Sequence, residues 1–265
     1  MKQKVIFITG ASSGIGYATA QLFAKKGWRV IATMRDISQA PPFPKNVTIL
    51  ALDVTKPDTI KNAVAKVMRT HKRIDVLVNN AGYGLFGELT DISEEKIARQ
   101  LATNVQGLIL ITKAVLPIMK TQKSGVIVNI SSIIGRIAFP FSSLYTSSKW
   151  AVEGFSESLF YEAGQQGIRV KIVEPGPVKT DFFSRSLDMA LPKNLSAKQK
   201  RMLEQSENMT KNASSPEQIA KVIHKAATTS SKKLRYPAGA MSRIALFFEP
   251  FIPTRIRMWL IRTFM

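Results

Sequence analysis

The sequence predicts an α/β fold: a three-layer, doubly wound domain whose parallel sheet has about seven strands and carries helices on both faces. Three observations predict it. Six short apolar, β-branched runs recur along the 265-residue chain. Helical patterns lie between them. A glycine-rich turn, "TGASSGIG" (9–16), joins the first run to the first helical stretch. Strands that are apolar without alternation are buried on both faces, and strands that alternate with helices pair in parallel.

Each element has its own reason. The chain begins Met-Lys-Gln-Lys and enters "KVIFIT" (4–9), a run too short for a signal-peptide core and read as the first strand. "RVIAT" (29–33) and "VTILAL" (47–52) are the next two. In 57–70, Ile60, Val64, Val67 and Met68 make one apolar stripe, and Pro57 and Asp58 suit a first helical turn. "IDVLVNN" (74–80), "GVIVNIS" (125–131) and "RVKIVE" (169–174) supply strands four to six. Residues 181–215, rich in Ser, Lys, Asn and Met, predict a strandless excursion that serves as a substrate-side lid. A helix over 216–229 and a seventh strand in "LRYPAG" (234–239) follow. Residues 240–265 are a C-terminal extension rich in Phe, Ile and Arg and broken at Pro250 and Pro253. No internal repeat is evident, and no uninterrupted apolar segment reaches membrane-spanning length. The expectation is a single domain over 1–265.

Composition narrows the function. Hydrophobic residues make up 45% of the chain, enough for a large core, which excludes wholesale disorder. There is no cysteine, so disulfides, thiolate metal sites and cysteine nucleophiles are excluded, and a reducing, cytoplasmic location fits. The two histidines, His71 and His224, have no neighbours with metal-ligand spacing. The net charge of +20 admits a solubility bias, an anionic membrane or acidic partner, or nucleic acid. Basic residues are scattered without a dense block or a nucleic-acid signature, so no nucleic-acid partner is expected.

Two stretches carry chemistry. In "YTSSK" (145–149), Tyr145 and Lys149 share one helix face. An ammonium beside a phenol favours the phenolate and lowers its pKa. In "TGASSGIG", glycines let the backbone turn tightly, and a helix N-terminus offers free N–H groups that suit a pyrophosphate. The same turn also reads as G-x-S-x-G, the serine-hydrolase elbow, with Ser12 as nucleophile, Asp181 as acid and His224 as base. Only one strand precedes Ser12, however, where such an elbow needs earlier strands for its second oxyanion N–H. A cofactor-sensing module without turnover is a further alternative.

Seven motifs then occur in register: "TGASSGIG" (9–16), "LDVT" (52–55), "NNAG" (79–82), "TNVQG" (103–107), "NISS" (129–132), "YTSSK" (145–149) and "PGPVKT" (175–180). In their order and spacing the chain resembles the short-chain dehydrogenase/reductase family over nearly its whole length, with a look closest to steroid- and retinol-dehydrogenase-type members. The resemblance implies a Rossmann sheet, a nicotinamide cofactor and a catalytic tetrad of Asn104, Ser132, Tyr145 and Lys149. Tyr145 would be the general acid/base, Ser132 would orient the substrate oxygen, Lys149 would hold the nicotinamide ribose, and Asn104 would fix a proton-relay water. Gly10, Ser12, Ser13, Gly14, Ile15 and Gly16 would surround the pyrophosphate and adenosine. Asp53 and Val54 would meet the adenine, and Asn80, Ala81 and Gly82 would line the adenosine side. Pro175, Gly176, Val178 and Thr180 would border the nicotinamide.

Arg35 follows the end of the second strand, where a guanidinium pairs a 2′-phosphate, so NADP(H) is preferred and NAD(H) remains open through the adjacent Asp36. Phe182, Phe183, Leu187, Met189 and Leu191, with "GLFG" (84–87) and "IAFPF" (137–141), suggest an apolar pocket for a small carbonyl or alcohol substrate. The family's habit implies a homodimer or homotetramer. In the tail, Ile256, Trp259, Leu260 and Phe264 share a helical face, with Arg255 and Arg262 turned away. That helix either docks on the domain or makes peripheral contact with an anionic membrane.

Overall fold

Val5–Ile8, the strand β1, is fully buried along its length, as its four consecutive apolar residues require. The computed structural model describes residues 3–179, 187–190 and 213–264. β1 is the third strand of a seven-stranded sheet, with β2 (Arg29–Met34) and β3 (Val47–Ala51) on one side. On the other side lie β4 (Val76–Asn79), β6 (Gly125–Ile130), β7 (Ile168–Pro175) and β9 (Arg235–Ala238). Every neighbouring pair is parallel.

The helices form two outer layers. On one face α1 (Gly14–Lys25) and α6 (Pro216–Thr228) bury Phe23, Ile219 and Ile223 against Ile6, Ile8 and Val128. On the other face lie α2 (Pro57–His71), α4 (Gly107–Gln122) and α5 (Ser143–Gly164). They bury Ile60, Val67, Ile111, Met119 and Leu159 against Phe7, Leu77 and Ile127. Two apolar layers divided by a sheet are what unalternating strands demand, because both faces of each strand must leave water. The stripe predicted for α2 is present, with Ala63 fully inside it and Met68 at its edge. Lys171 looks out of place in buried β7, yet its ammonium donates to the carbonyls of Ser231 and Lys233 at 2.6 Å.

Three expectations need correction. Residues 181–215 are not strandless: β8 (Leu187–Ala190) pairs in parallel with β5 (Gly84–Gly87), so "GLFG" is a strand. Two short segments of weak propensity pair because each satisfies the other's backbone, a long-range gain that no local pattern shows. Secondly, α3 (Glu94–Leu101), a π-helical turn over Ala102–Gln106 and α4 run on as one helix. That Glu94–Gln122 helix is long and apolar enough to cross a membrane, although it packs α4 against the sheet through Ile111, Val115 and Met119. Thirdly, the tail folds as α7 (Ala240–Phe248), a 3₁₀ turn over Glu249–Phe251 and α8 (Thr254–Phe264), and because Ile256 and Trp259 are 51% and 61% exposed, of its two expected readings the docking of that face on the domain is the one that fails. The half-buried side of α8 is instead the one bearing Arg257, Leu260 and Ile261.

Candidate active site

Most of the predicted site residues that the structure describes follow the C-terminal ends of the parallel strands, while Asn104, Tyr145 and Lys149 come from helical segments. The chain moves outward from β1 through β2 to β3, then returns to β4 on the opposite side of β1. The crevice left where the order reverses is where ligands bind in such sheets.

The turn between β1 and α1 holds Gly10, Ser12 and Ser13, and Gly14, Ile15 and Gly16 open the helix. Gly10 and Gly14 have φ of 65° and 54°, a region that other residues adopt with strain. A Cβ on Gly16 would stand 2.2 Å from the Gly10 carbonyl oxygen. Asn80 clamps the turn: its side-chain amide donates to the carbonyls of Thr9 and Gly10 at 3.0 and 2.8 Å. The Thr9 hydroxyl accepts from the N–H groups of Asn80 and Ala81, both at 3.0 Å. Ser13 begins α1 without a side-chain cap, so the helix presents uncapped N–H groups. This backbone cradle fits a dinucleotide pyrophosphate.

Arg35 is exposed at the end of β2. Asp36 turns aside to accept from the N–H and hydroxyl of Ser38 at 2.9 and 2.6 Å, which holds its carboxyl below the usual range. Asp36 forms no ion pair with Arg35. Asp53, after β3, accepts from the Thr55 N–H and hydroxyl at 2.9 and 2.7 Å. Burial raises its pKa, but those bonds and the charges of Arg35 and Lys56 outweigh it and leave the carboxyl lowered. Val54 is buried, and Gly107 approaches it so closely that a Cβ there would lie 2.7 Å from Val54 Cγ2.

Asn104 sits in the π-helical turn, 2% exposed. Its amide donates to Tyr83 O at 2.8 Å and Ser148 Oγ at 3.2 Å, and its Oδ1 accepts from Tyr83 N at 3.0 Å. Instead of bonding its own helix, Asn104 ties α3–α4 to the strand end beside Gly82. π-helical turns recur at functional sites because they re-aim a side chain.

Ser132, just after β6, caps a 3₁₀ turn over Ile133–Gly135. Its hydroxyl donates to Pro175 O at 3.4 Å, linking the ends of β6 and β7, and hydrogen-bonds the Tyr145 phenol. Pro175 ends β7, Gly176 N donates to Ala238 O at 3.1 Å, and Val178 is buried. Thr180, together with Asp181, Phe182, Phe183 and Leu191, lies outside the described residues.

Tyr145 and Lys149 share the first turns of α5, with the ammonium 5.7 Å from the phenol ring centroid. The Lys149 Nζ donates to Ile130 O at 2.9 Å. Both side chains are buried, and burial dominates both titrations. It pushes Tyr145 up to about 12 against the Ser132 hydrogen bond. It pulls Lys149 down to about 8 against the Glu153 charge. The expected acidification of Tyr145 by its neighbour is therefore not present in the protein alone: desolvation wins because it disfavours both charged forms.

Several participants escaped the sequence reading. Thr9 latches Asn80. Phe86 of β5 stacks on Tyr145 at 5.5 Å between centroids. Glu153 falls one turn beyond Lys149 on the same face, a spacing that could have flagged it. Behind it Arg235 bonds Glu153 and Glu157 at 2.9 and 2.6 Å, and Arg136 lies 3.7 Å from the fully buried Glu174. Burial and the nearby Glu153 push Glu174 up to about 7, opposed by Arg136, Arg235 and Lys233. Among the described residues the rival hydrolase pair is not assembled. His224 lies inside α6 against the Phe23 ring at 5.1 Å, with no hydrogen bond to Ser12.

Known proteins share this layout. A family model described as short chain dehydrogenase matches residues 4–190. An uncharacterized oxidoreductase of Bacillus subtilis, YusZ, is 37% identical, over 96% of this chain and 95% of its own. Human retinol dehydrogenase 8 is 37% identical over 69% of this chain and 62% of its own. Among solved structures, a short-chain dehydrogenase from Streptomyces avermitilis superposes with a TM-score of 0.85 at 31% identity, covering 95% of this chain and 93% of that one. The NADP-bound structure of ElxO gives a TM-score of 0.76 at 27% identity, covering 92% and 100%. With the parallel sheet, the clamped glycine turn and the Tyr145–Lys149 face already in place, these matches settle the ancestry: the chain belongs to the short-chain dehydrogenase/reductase family of oxidoreductases.

Proposed function

We propose that this oxidoreductase uses NADP(H) to interconvert a carbonyl and a secondary alcohol on a small apolar substrate, with Tyr145 as general acid/base. The observation that carries the reading is the shared burial of Ser132, Tyr145 and Lys149, in contact with one another at the C-terminal end of β6. NADPH, when bound, would supply the hydride for the carbonyl carbon, and its oxidised form would add a positive charge.

In this reading Gly10, Ser12, Ser13, Gly14, Ile15 and Gly16 hold the pyrophosphate, and Asp53, Val54, Asn80, Ala81 and Gly82 hold the adenosine. Arg35 takes the 2′-phosphate, supported by the diversion of Asp36 onto Ser38. Ser132 donates to the substrate oxygen and orients it. As the carbon gains its hydrogen, the π pair moves to oxygen and Tyr145 transfers its phenolic proton there. Lys149 binds the ribose hydroxyls, and its charge with that of the cofactor offsets the burial that raises the phenol. Asn104 orients the adjacent backbone and a relay water. Pro175, Gly176, Val178 and Thr180 border the nicotinamide. Phe86 walls the substrate side, with Met189 opposite it in the β5–β8 register.

We further infer one catalytic unit over 1–265, with 181–215 as its lid and 240–265 as an extension. It would work in the cytoplasm as a homodimer or homotetramer. The exposure of Trp150 and Tyr161 on α5 supports the pairing.

The test is Tyr145→Phe. NADPH affinity should be unchanged while kcat/KM on a carbonyl panel falls by roughly 10²–10⁴-fold, the usual worth of a positioned acid. Turnover by the variant at the wild-type rate would overturn the assignment.

A further inference from the structure

Large exposed apolar side chains are concentrated in the C-terminal helices. On α7 and the following turn, Ile244, Phe247, Phe248 and Phe251 are 61%, 64%, 52% and 73% exposed. Their spacing of three, four and seven residues puts them on one outward stripe, while Ser242 and Leu246 face the domain. Phe247 packs edge-on to Phe248 at 5.2 Å and meets Phe251 at 6.1 Å, so the rings form one continuous patch. On α8, Ile256, Met258 and Trp259 are 51%, 65% and 61% exposed.

The charges on the same segment are one-sided. Residues 240–265 contain Arg243, Arg255, Arg257 and Arg262 and a single acid, Glu249. Glu249 is already neutralised, by Arg136 at 2.5 Å and by Arg257 at 2.7 Å. Arg243, Arg255 and Arg262 are exposed and form no ion pair among the described residues. Exposed arginines that form no ion pair among the described residues, on the same C-terminal helices as the phenylalanine patch and Trp259, match an anionic lipid surface, where apolar rings enter the acyl boundary and guanidinium groups meet the headgroups. The chain's net charge of +20 adds long-range attraction of the same sign.

We infer that the α7–α8 surface docks the protein peripherally on anionic membranes. Glu249 ties the patch to the domain through Arg136, which also reaches Glu174, and ties the turn to α8 through Arg257. α7 also starts beside the site: the Ser242 hydroxyl donates to Glu174 O at 2.6 Å, next to Pro175–Gly176. Docking therefore places the cleft near the bilayer. The inference concerns the surface alone and holds whether or not the proposed chemistry does.

The experiment is flotation of the full chain with phosphatidylcholine vesicles, with and without phosphatidylglycerol, at low and high salt. Binding should require phosphatidylglycerol and weaken with salt, and Trp259 emission should shift to the blue on binding, a shift missing in Trp259→Phe. Arg255→Glu with Arg262→Glu should weaken partitioning by roughly tenfold or more. Phe247→Ser with Phe251→Ser should do the same. NADPH binding and thermal melts of each variant check that it folds. Absence of binding to phosphatidylglycerol vesicles, or binding unchanged in both double variants, overturns the proposal. A second copy is then the occupant if Phe247→Ser with Phe251→Ser lowers the oligomeric state in sedimentation.

Discussion

Tyr145 and Lys149 show how far one environment can reverse a local rule. Four residues apart on a helix, they invite the reading that the ammonium acidifies the phenol, yet burial pushes the phenol up to about 12 and the ammonium down to about 8. Arg35 is simpler, because it is exposed and its acidic neighbour is occupied elsewhere. Arg35→Asp should raise the Kd for NADPH by roughly 10–100-fold, the worth of charge-assisted bonds, and leave NADH binding equal or better. Fluorescence titration with both dinucleotides measures it. Glu174 gives a pH prediction. Its folded pKa of about 7 exceeds the ordinary 4.5, so between those values the folded state holds more protons than the unfolded one. Stability is then full below the lower value, falls as pH rises through the window, and is level above it. Glu174→Gln should flatten that fall, read as the difference in Tm between about pH 5 and about pH 8. An unchanged pH profile would mean that the carboxyl titrates normally.

At the scale of elements, regularity decided what the sequence could reveal. The seven main strands and the helix over Pro57–His71 were legible because their burial is periodic or continuous. The glycine turn and the Asn80 region were legible because each sits at a strand end and brings its own backbone chemistry, and the nearness of Tyr145 to Lys149 was legible from their helical spacing. The β5–β8 pair was not, since neither partner has a pattern without the other. The π-helical turn around Asn104 was hidden for a similar reason: its register shift answers to the Tyr83 backbone, far away in sequence. The tail's amphipathic face was recognised, but not that much of it would stay in water. Gly87 tests the small sheet. Its φ is 151°, and a Cβ there would lie 2.4 Å from Ala190 O. Gly87→Ala should cost about 1–3 kcal/mol locally and part β5 from β8. With Phe86 loosened against Tyr145, KM for carbonyl substrates should rise while NADPH affinity holds. Steady-state kinetics and a cofactor titration separate the two.

For the molecule as a whole, the sheet order matters beyond the site it creates. No adjacent pair in the seven-stranded sheet is a hairpin: Ile6 pairs with Val76, Val126 with Arg169, and Val173 with Tyr236. Each pairing must close a long stretch of chain before it is rewarded, which places folding at roughly the millisecond-to-second end of the scale. β1 leaves the ribosome before β4 and must wait for Val76 before its second edge is covered. Until then a four-residue apolar ribbon stands with open amide and carbonyl groups, the kind of edge that other nascent chains join. The same strand that anchors the finished sheet is thus its most vulnerable piece during synthesis, and chaperone dependence should trace to the arrival of β4.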